Sequence, residues 1–171
     1  MPFKIICLFI VSQFILGCAT APPAGSGIWV TGISESVTRY YIPATTWQEQ
    51  TNHFVTCRLD ITYVNESGRP VVCNISFFHR DAAPNEATPI SFMGDGRMFS
   101  LNDVNTMFTR AEYNELRITS VIAIEELLDL FRSEKIVLKA LIDSVEYTFE
   151  PTEEFLLFRS QFLEAAGSTS H

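Results

Sequence analysis

Three patterns in the sequence predict an α+β fold: an antiparallel sheet or open β-sandwich of about seven to nine strands with two C-terminal helices. The first is strict alternation. Val55, Cys57, Leu59, Ile61 and Tyr63 interleave with Thr56, Arg58, Asp60 and Thr62, and Val71, Cys73, Ile75 and Phe77 interleave with Val72, Asn74 and Ser76. Period two places each apolar set on one face of a strand. The second is punctuation: Ser67-Gly68, Gly94-Asp95-Gly96 and Asp143-Ser144 separate strand-like runs with residues that tolerate tight turns. The third is a late change of period, where Phe155, Phe158, Phe162 and Leu163 recur at helical spacing.

Taken in order, the chain begins with a weakly basic stretch, Met1 to Lys4, and then Ile5 to Leu16, apolar except for Ser12 and Gln13. As a helix this core spans about 18 Å at a rise of about 1.5 Å per residue. A bilayer core needs about 30 Å, so the segment fits a signal peptide better than a membrane span. It ends Ile15-Leu16-Gly17-Cys18, which resembles the lipobox of bacterial lipoproteins: an aliphatic residue, a variable one, a small one and cysteine. Leu16 stands where that pattern usually has a small residue. The resemblance implies removal of residues 1–17 and lipid attachment to Cys18, whose thiol is nucleophilic enough to be alkylated. It also implies an outer membrane destination over the inner membrane, because Ala19 is not the aspartate that retains such proteins. Three acyl chains would anchor the protein to the membrane firmly, each buried methylene contributing about 0.8 kcal/mol. Residues 18–27 form the attachment point and an uncharged Pro/Gly-rich tether. The resemblance covers the signal alone.

Residues 28–166 then read as a single globular domain and 167–171 as a flexible tail. The chain of 171 residues carries a net charge of −8, and its Arg and Lys residues are scattered singly. Nucleic acid is therefore excluded as an expected partner, and the acidity serves solubility. Of the four cysteines, Cys7 leaves with the signal, Cys18 takes the lipid, and Cys57 and Cys73 remain in an oxidising compartment.

Ile28 to Ile42 is rich in β-branched and aromatic residues and broken at Gly32 to Ser36, which predicts two short strands. Pro43 to Asn52 reads as a connection, with Trp47 as a core plug. Val55–Val64 and Val71–Arg80 pair as a hairpin with Leu59 and Ile61 inward. That pairing sets Cys73 opposite Ile61 or Tyr63, about 13 Å along the strand from Cys57. A disulfide needs Cα atoms within about 7 Å. Either the connection is an arch and Cys57 bonds Cys73, or it is a hairpin and both thiols are core; geometry favours the hairpin. Ile90–Met93 and Arg97–Leu101 make a second hairpin, and Val104–Thr109 and Glu115–Ile124 two more strands. Glu125–Ser133 is a short helix, acidic in its first turn. Ile136–Ile142 and Val145–Phe149 form a last hairpin, and Pro151 opens a helix over Thr152–Ala166.

No nucleophile motif, phosphate cradle or cofactor fingerprint accompanies these elements, so no cofactor is expected. His79-Arg80-Asp81 with Asn85 is out of register with a protein-kinase catalytic loop, and the other kinase motifs are absent. The leading expectation is a non-catalytic envelope lipoprotein acting in binding or assembly, with an envelope protein or glycan as partner. Two alternatives stand beside it. One is a periplasmic hydrolase with dispersed carboxylates; the other is a small-ligand or glycan binder using Trp29, Trp47, Tyr40 and Tyr41. The sharpest metal alternative pairs His53 with His79, which the hairpin brings to one end.

Overall fold

In order, the elements of the computed structural model are β1 (Trp29–Gly32), β2 (Thr38–Glu49), β3 (Val55–Val64), β4 (Val71–His79), β5 (Ala87–Gly94), β6 (Arg97–Ser100), β7 (Asn102–Arg110), β8 (Glu115–Ile122), α1 (Ile124–Arg132), β9 (Ile136–Ile142), β10 (Val145–Pro151) and α2 (Glu153–Gly167). The structure describes residues 27–51 and 54–167. The expected signal segment, Cys18 and His53 lie outside the described residues.

All ten strands belong to one antiparallel sheet, in the order β6-β5-β9-β10-β2-β3-β4-β8-β7, with β1 added against β2. The α+β class therefore holds, and of the two expected forms the structure takes the antiparallel sheet and not the sandwich, as a single curled sheet with one strand more than the expected range. The curl follows from connectivity. Strands β6 and β7 stand at opposite ends of the order, yet only Leu101 separates them in sequence. The ends must therefore approach one another, and the sheet is a nearly closed barrel.

The predicted hairpin of β3 and β4 forms in the expected register, with Leu59 opposite Ile75 and Ile61 opposite Cys73. Val55, Cys57, Leu59, Val71, Cys73, Ile75 and Phe77 are fully buried on the inner face. Asp95 and Gly96, both at positive φ, turn the β5–β6 hairpin, and Asp143 and Ser144, also at positive φ, turn β9–β10. Such two-residue turns match the right-handed twist of the strands they join. Both turn aspartates also grip a neighbouring connection. The Asp95 carboxylate accepts the backbone N–H groups of Glu134 and Lys135, each at 2.9 Å. The Asp143 carboxylate accepts those of Asn85 and Glu86, at 3.0 and 3.1 Å. The bonds from Lys135 and then Glu134 hold the Asp95 carboxyl below its ordinary pKa.

Two expectations are corrected. Pro43–Asn52 is not a connection, because β2 runs through it to Glu49. The register with β3 shifts between Ile42 and Thr45, and this bulge absorbs Pro43, which lacks a backbone N–H. Pro151 does not open the last helix; it is the final residue of β10, opposite Trp47, and the helix starts at Glu153. Helix α2 buries Phe155, Phe158 and Phe162, and α1 buries Leu127, Leu130 and Phe131. Their rings interlock with β2: Trp47 lies 4.6 Å from Phe155, and Tyr40 lies 5.8 Å from Phe162, between centroids. None of the described helices is long and apolar enough to cross a membrane.

The face assignment of β3 has a direct check. Leu59→Asp places an unpaired charge among fully buried neighbours and should cost several kcal/mol, on the order of an uncompensated buried polar group or more. Thr56→Asp, on the exposed face, should stay within about 0.5 kcal/mol of wild type. Urea unfolding of the two variants reads the difference, and equal losses would overturn the assignment.

Candidate functional site

The four aromatic residues singled out for ligand stacking divide between two faces. Tyr40 and Trp47 are in the core at 2 % and 0 % exposure, so they are not available as a binding row. Sequence spacing hides this, because the bulge after Ile42 changes the parity of β2 and turns Thr45, Trp47 and Glu49 inward. Trp29 and Tyr41 pair directly across β1 and β2 on the outer face, half-buried, with ring centroids 5.0 Å apart.

His79 sits half-buried at the end of β4, and its Nδ1 accepts the backbone N–H of Asp81 at 3.1 Å. That bond leaves Nε2 as the nitrogen turned to other partners. Its proposed companion His53 is outside the described residues. Among the described residues, no group of three or more His, Cys, Asp or Glu is placed to hold a metal ion.

Cys57 and Cys73 are free, buried thiols. The hairpin alternative is the one the structure takes: Cys57 faces Phe77 and Cys73 faces Ile61, four residues apart along the ladder. Burial pushes both thiols up, Cys73 to about 12 with a smaller contribution from the Asp60 carboxylate. Such thiols pack as small hydrophobes and are poor nucleophiles.

The most organised polar group lies on the outer face of β3, β4 and β8, and sequence reasoning missed it. Asp60 is only 5 % exposed although it points away from the core. Its Oδ1 accepts the Asn74 side-chain amide at 2.8 Å, and its Oδ2 accepts Arg117 Nη2 at 2.6 Å. Arg117 Nη1 also donates to Ser76 Oγ at 2.8 Å, and Ser76 is 1 % exposed. Register explains the meeting: Asp60 stands opposite Asn74, and Ser76 opposite Arg117. Burial, and then the Asp60 charge, raise the Tyr41 phenol above its ordinary pKa, with Arg117 partly opposing. Each carboxylate oxygen of Asp60 accepts a hydrogen bond, and the lattice ties three strands together.

A cleft of about 380 Å³ opens at the tip of the β3–β4 hairpin, between Tyr63, Asn65 to Pro70 and the start of α1 at Ala123 to Glu125. Tyr63 donates to Asn65 Oδ1 at 3.3 Å, and Arg69 pairs with Glu66 within the turn. Helix α1 begins without a side-chain cap, and its first-turn acids Glu125 and Glu126 complement its dipole.

The expected tether joins the domain at a defined point. The Ile28 N–H donates to Gln161 Oε1 of α2 at 3.1 Å. Gly27 has φ of +100°, and a Cβ there would lie 2.6 Å from the same oxygen. Only glycine combines that backbone with that approach. Gln161 carries no sequence signal, since its partner is 133 residues away.

No family model, curated protein or solved structure matches the chain. The reading of its function therefore rests on its own residues.

Two outcomes test this geometry. A thiol reagent at about pH 8, near the ordinary cysteine pKa, should leave Cys57 and Cys73 unmodified in the folded protein and modify both in denaturant. Modification of neither in denaturant without reductant would show a disulfide. Arg117→Ala strands the Asp60 carboxylate and should lower stability by about 3 kcal/mol, the low end for breaking a buried pair. The exposed Arg58→Ala should stay within about 0.5 kcal/mol. Denaturant midpoints measure both, and equal effects would contradict the role assigned to Arg117.

Proposed function

We propose that this chain is a membrane-anchored envelope lipoprotein whose role is non-catalytic contact, in binding or assembly. Cys18 carries the lipid, residues 1–17 are the removed signal, and the outer membrane is favoured over the inner. The observation that carries the reading is the short apolar core closing on Ile15-Leu16-Gly17-Cys18, followed by the uncharged stretch from Ala19 to Gly27. Two features of the domain support it. The chain meets the domain through a built joint at Gly27, Ile28 and Gln161, as suits a stalk that must hold a folded unit at a surface. The inner face of the sheet is filled by Trp47, Phe77, Phe92, Phe149 and the helix phenylalanines, all at most 1 % exposed, so contacts with partners belong to the outside.

Metabolic labelling decides the anchor. Cells given labelled palmitate should incorporate label into the wild-type protein and not into Cys18→Ser. Equal labelling of the two would overturn the reading.

A further inference from the structure

We infer that the strip flanking Gly27, formed by Val30 on β1 and Leu157 on α2, rests on the surface of a zwitterionic lipid bilayer. This rests on the lipid-anchored reading and adds to it an orientation of the domain. Val30 pairs with the inward Tyr40, so it leaves β1 on the side that carries α2. Ile28 shares that side, packs against the core and is bonded to Gln161. Leu157 lies one helical turn before Gln161, on the same flank of α2. The root of the tether, fixed by the Ile28–Gln161 bond, is therefore two residues along the chain from Val30 and one helical turn from Leu157. Both side chains are exposed, at 52 % and 56 %.

The occupant follows from the chain outside the described residues and from charge. Cys18 precedes Gly27 by nine residues. Fully extended, that length reaches at most about 30 Å. A tether so short holds the strip at an effective concentration on the order of millimolar, where weak apolar contacts suffice. Val30 and Leu157 carry no charge, but the exposed Glu153, Glu154 and Glu164 share Leu157's flank of α2, and the chain as a whole carries −8. Anionic headgroups would repel it, whereas zwitterionic ones would not.

The test uses the lipidated protein purified from cells and reconstituted into phosphatidylcholine vesicles containing a quencher-bearing lipid. Bimane is attached to Val30→Cys, Leu157→Cys or, as a control, Met98→Cys, which is 63 % exposed at the far end of the sheet order. Cys57 and Cys73 are buried and leave the new thiol as the target. The expected result is quenching several-fold stronger at 30 and 157 than at 98. Equal weak quenching at all three sites, with the protein still floating on vesicles, would overturn the orientation and leave the anchor standing. Flotation no greater than that of Cys18→Ser would sink the anchor and the orientation with it. Protection of 30 and 157 that follows protein concentration and not lipid would assign the strip to a second copy, which also overturns the proposal.

Discussion

The seat of Trp47 is the contact on which the rest of this structure depends. Its indole meets Phe155 of α2 and, at 5.9 Å, Phe92 of β5. Phe131 of α1 then bridges Phe155 and Phe162 at 5.6 and 5.5 Å. Trp47 thus joins an N-terminal strand to the far half of the sheet and to α2, and Phe131 carries the ring contacts on to α1. The arrangement has a cost: Trp47 Nε1–H is buried and meets no acceptor among the described residues. A silent buried donor costs about 1–3 kcal/mol, whereas truncating a buried Trp costs about 3–5 kcal/mol. The ring's packing outweighs the lost hydrogen bond, which explains why an imperfectly satisfied side chain sits at the centre.

Much of the fold is legible in the sequence because its hairpins are local. Alternation from Val55 and from Val71 specifies one register, since a slip of one residue would turn Leu59 and Ile75 into water. That register alone narrows the partner of Cys73 to Ile61 or Tyr63, and Ile61 is the one it faces. The Asp95-Gly96 and Asp143-Ser144 turns are equally readable from residues that accept positive φ. The same local reasoning fails at Pro43, where a proline inside a strand looks like its end. A bulge is a property of two strands, and one strand's sequence shows only the interruption.

The candidate site is less legible for a related reason. Asp60 and Arg117 lie 57 residues apart, and each alone reads as an ordinary charge on a solvated face. Only the chain of registers β3–β4–β8 makes them neighbours. Of the four aromatics grouped as a binding row, Trp29 and Tyr41 reach the outer face, whereas Tyr40 and Trp47 do not. Adjacent residues on a strand face opposite ways, and only the pairing of β2 shows which way is inside.

The join between β2 and β10 has a consequence for how the barrel assembles. Only Phe149–Pro151 pair with Trp47–Glu49, and about a hundred residues lie between the partners. Closing a loop of that length costs more chain entropy than closing any of the local hairpins. The β3–β4, β5–β6, β7–β8 and β9–β10 hairpins are local and can form well before it. Thr152 Oγ1 donates to the Thr46 carbonyl at 2.9 Å just beyond the join, and α2 then lies across β2. The C-terminal helix therefore fastens the seam whose two strands lie farthest apart in the sequence.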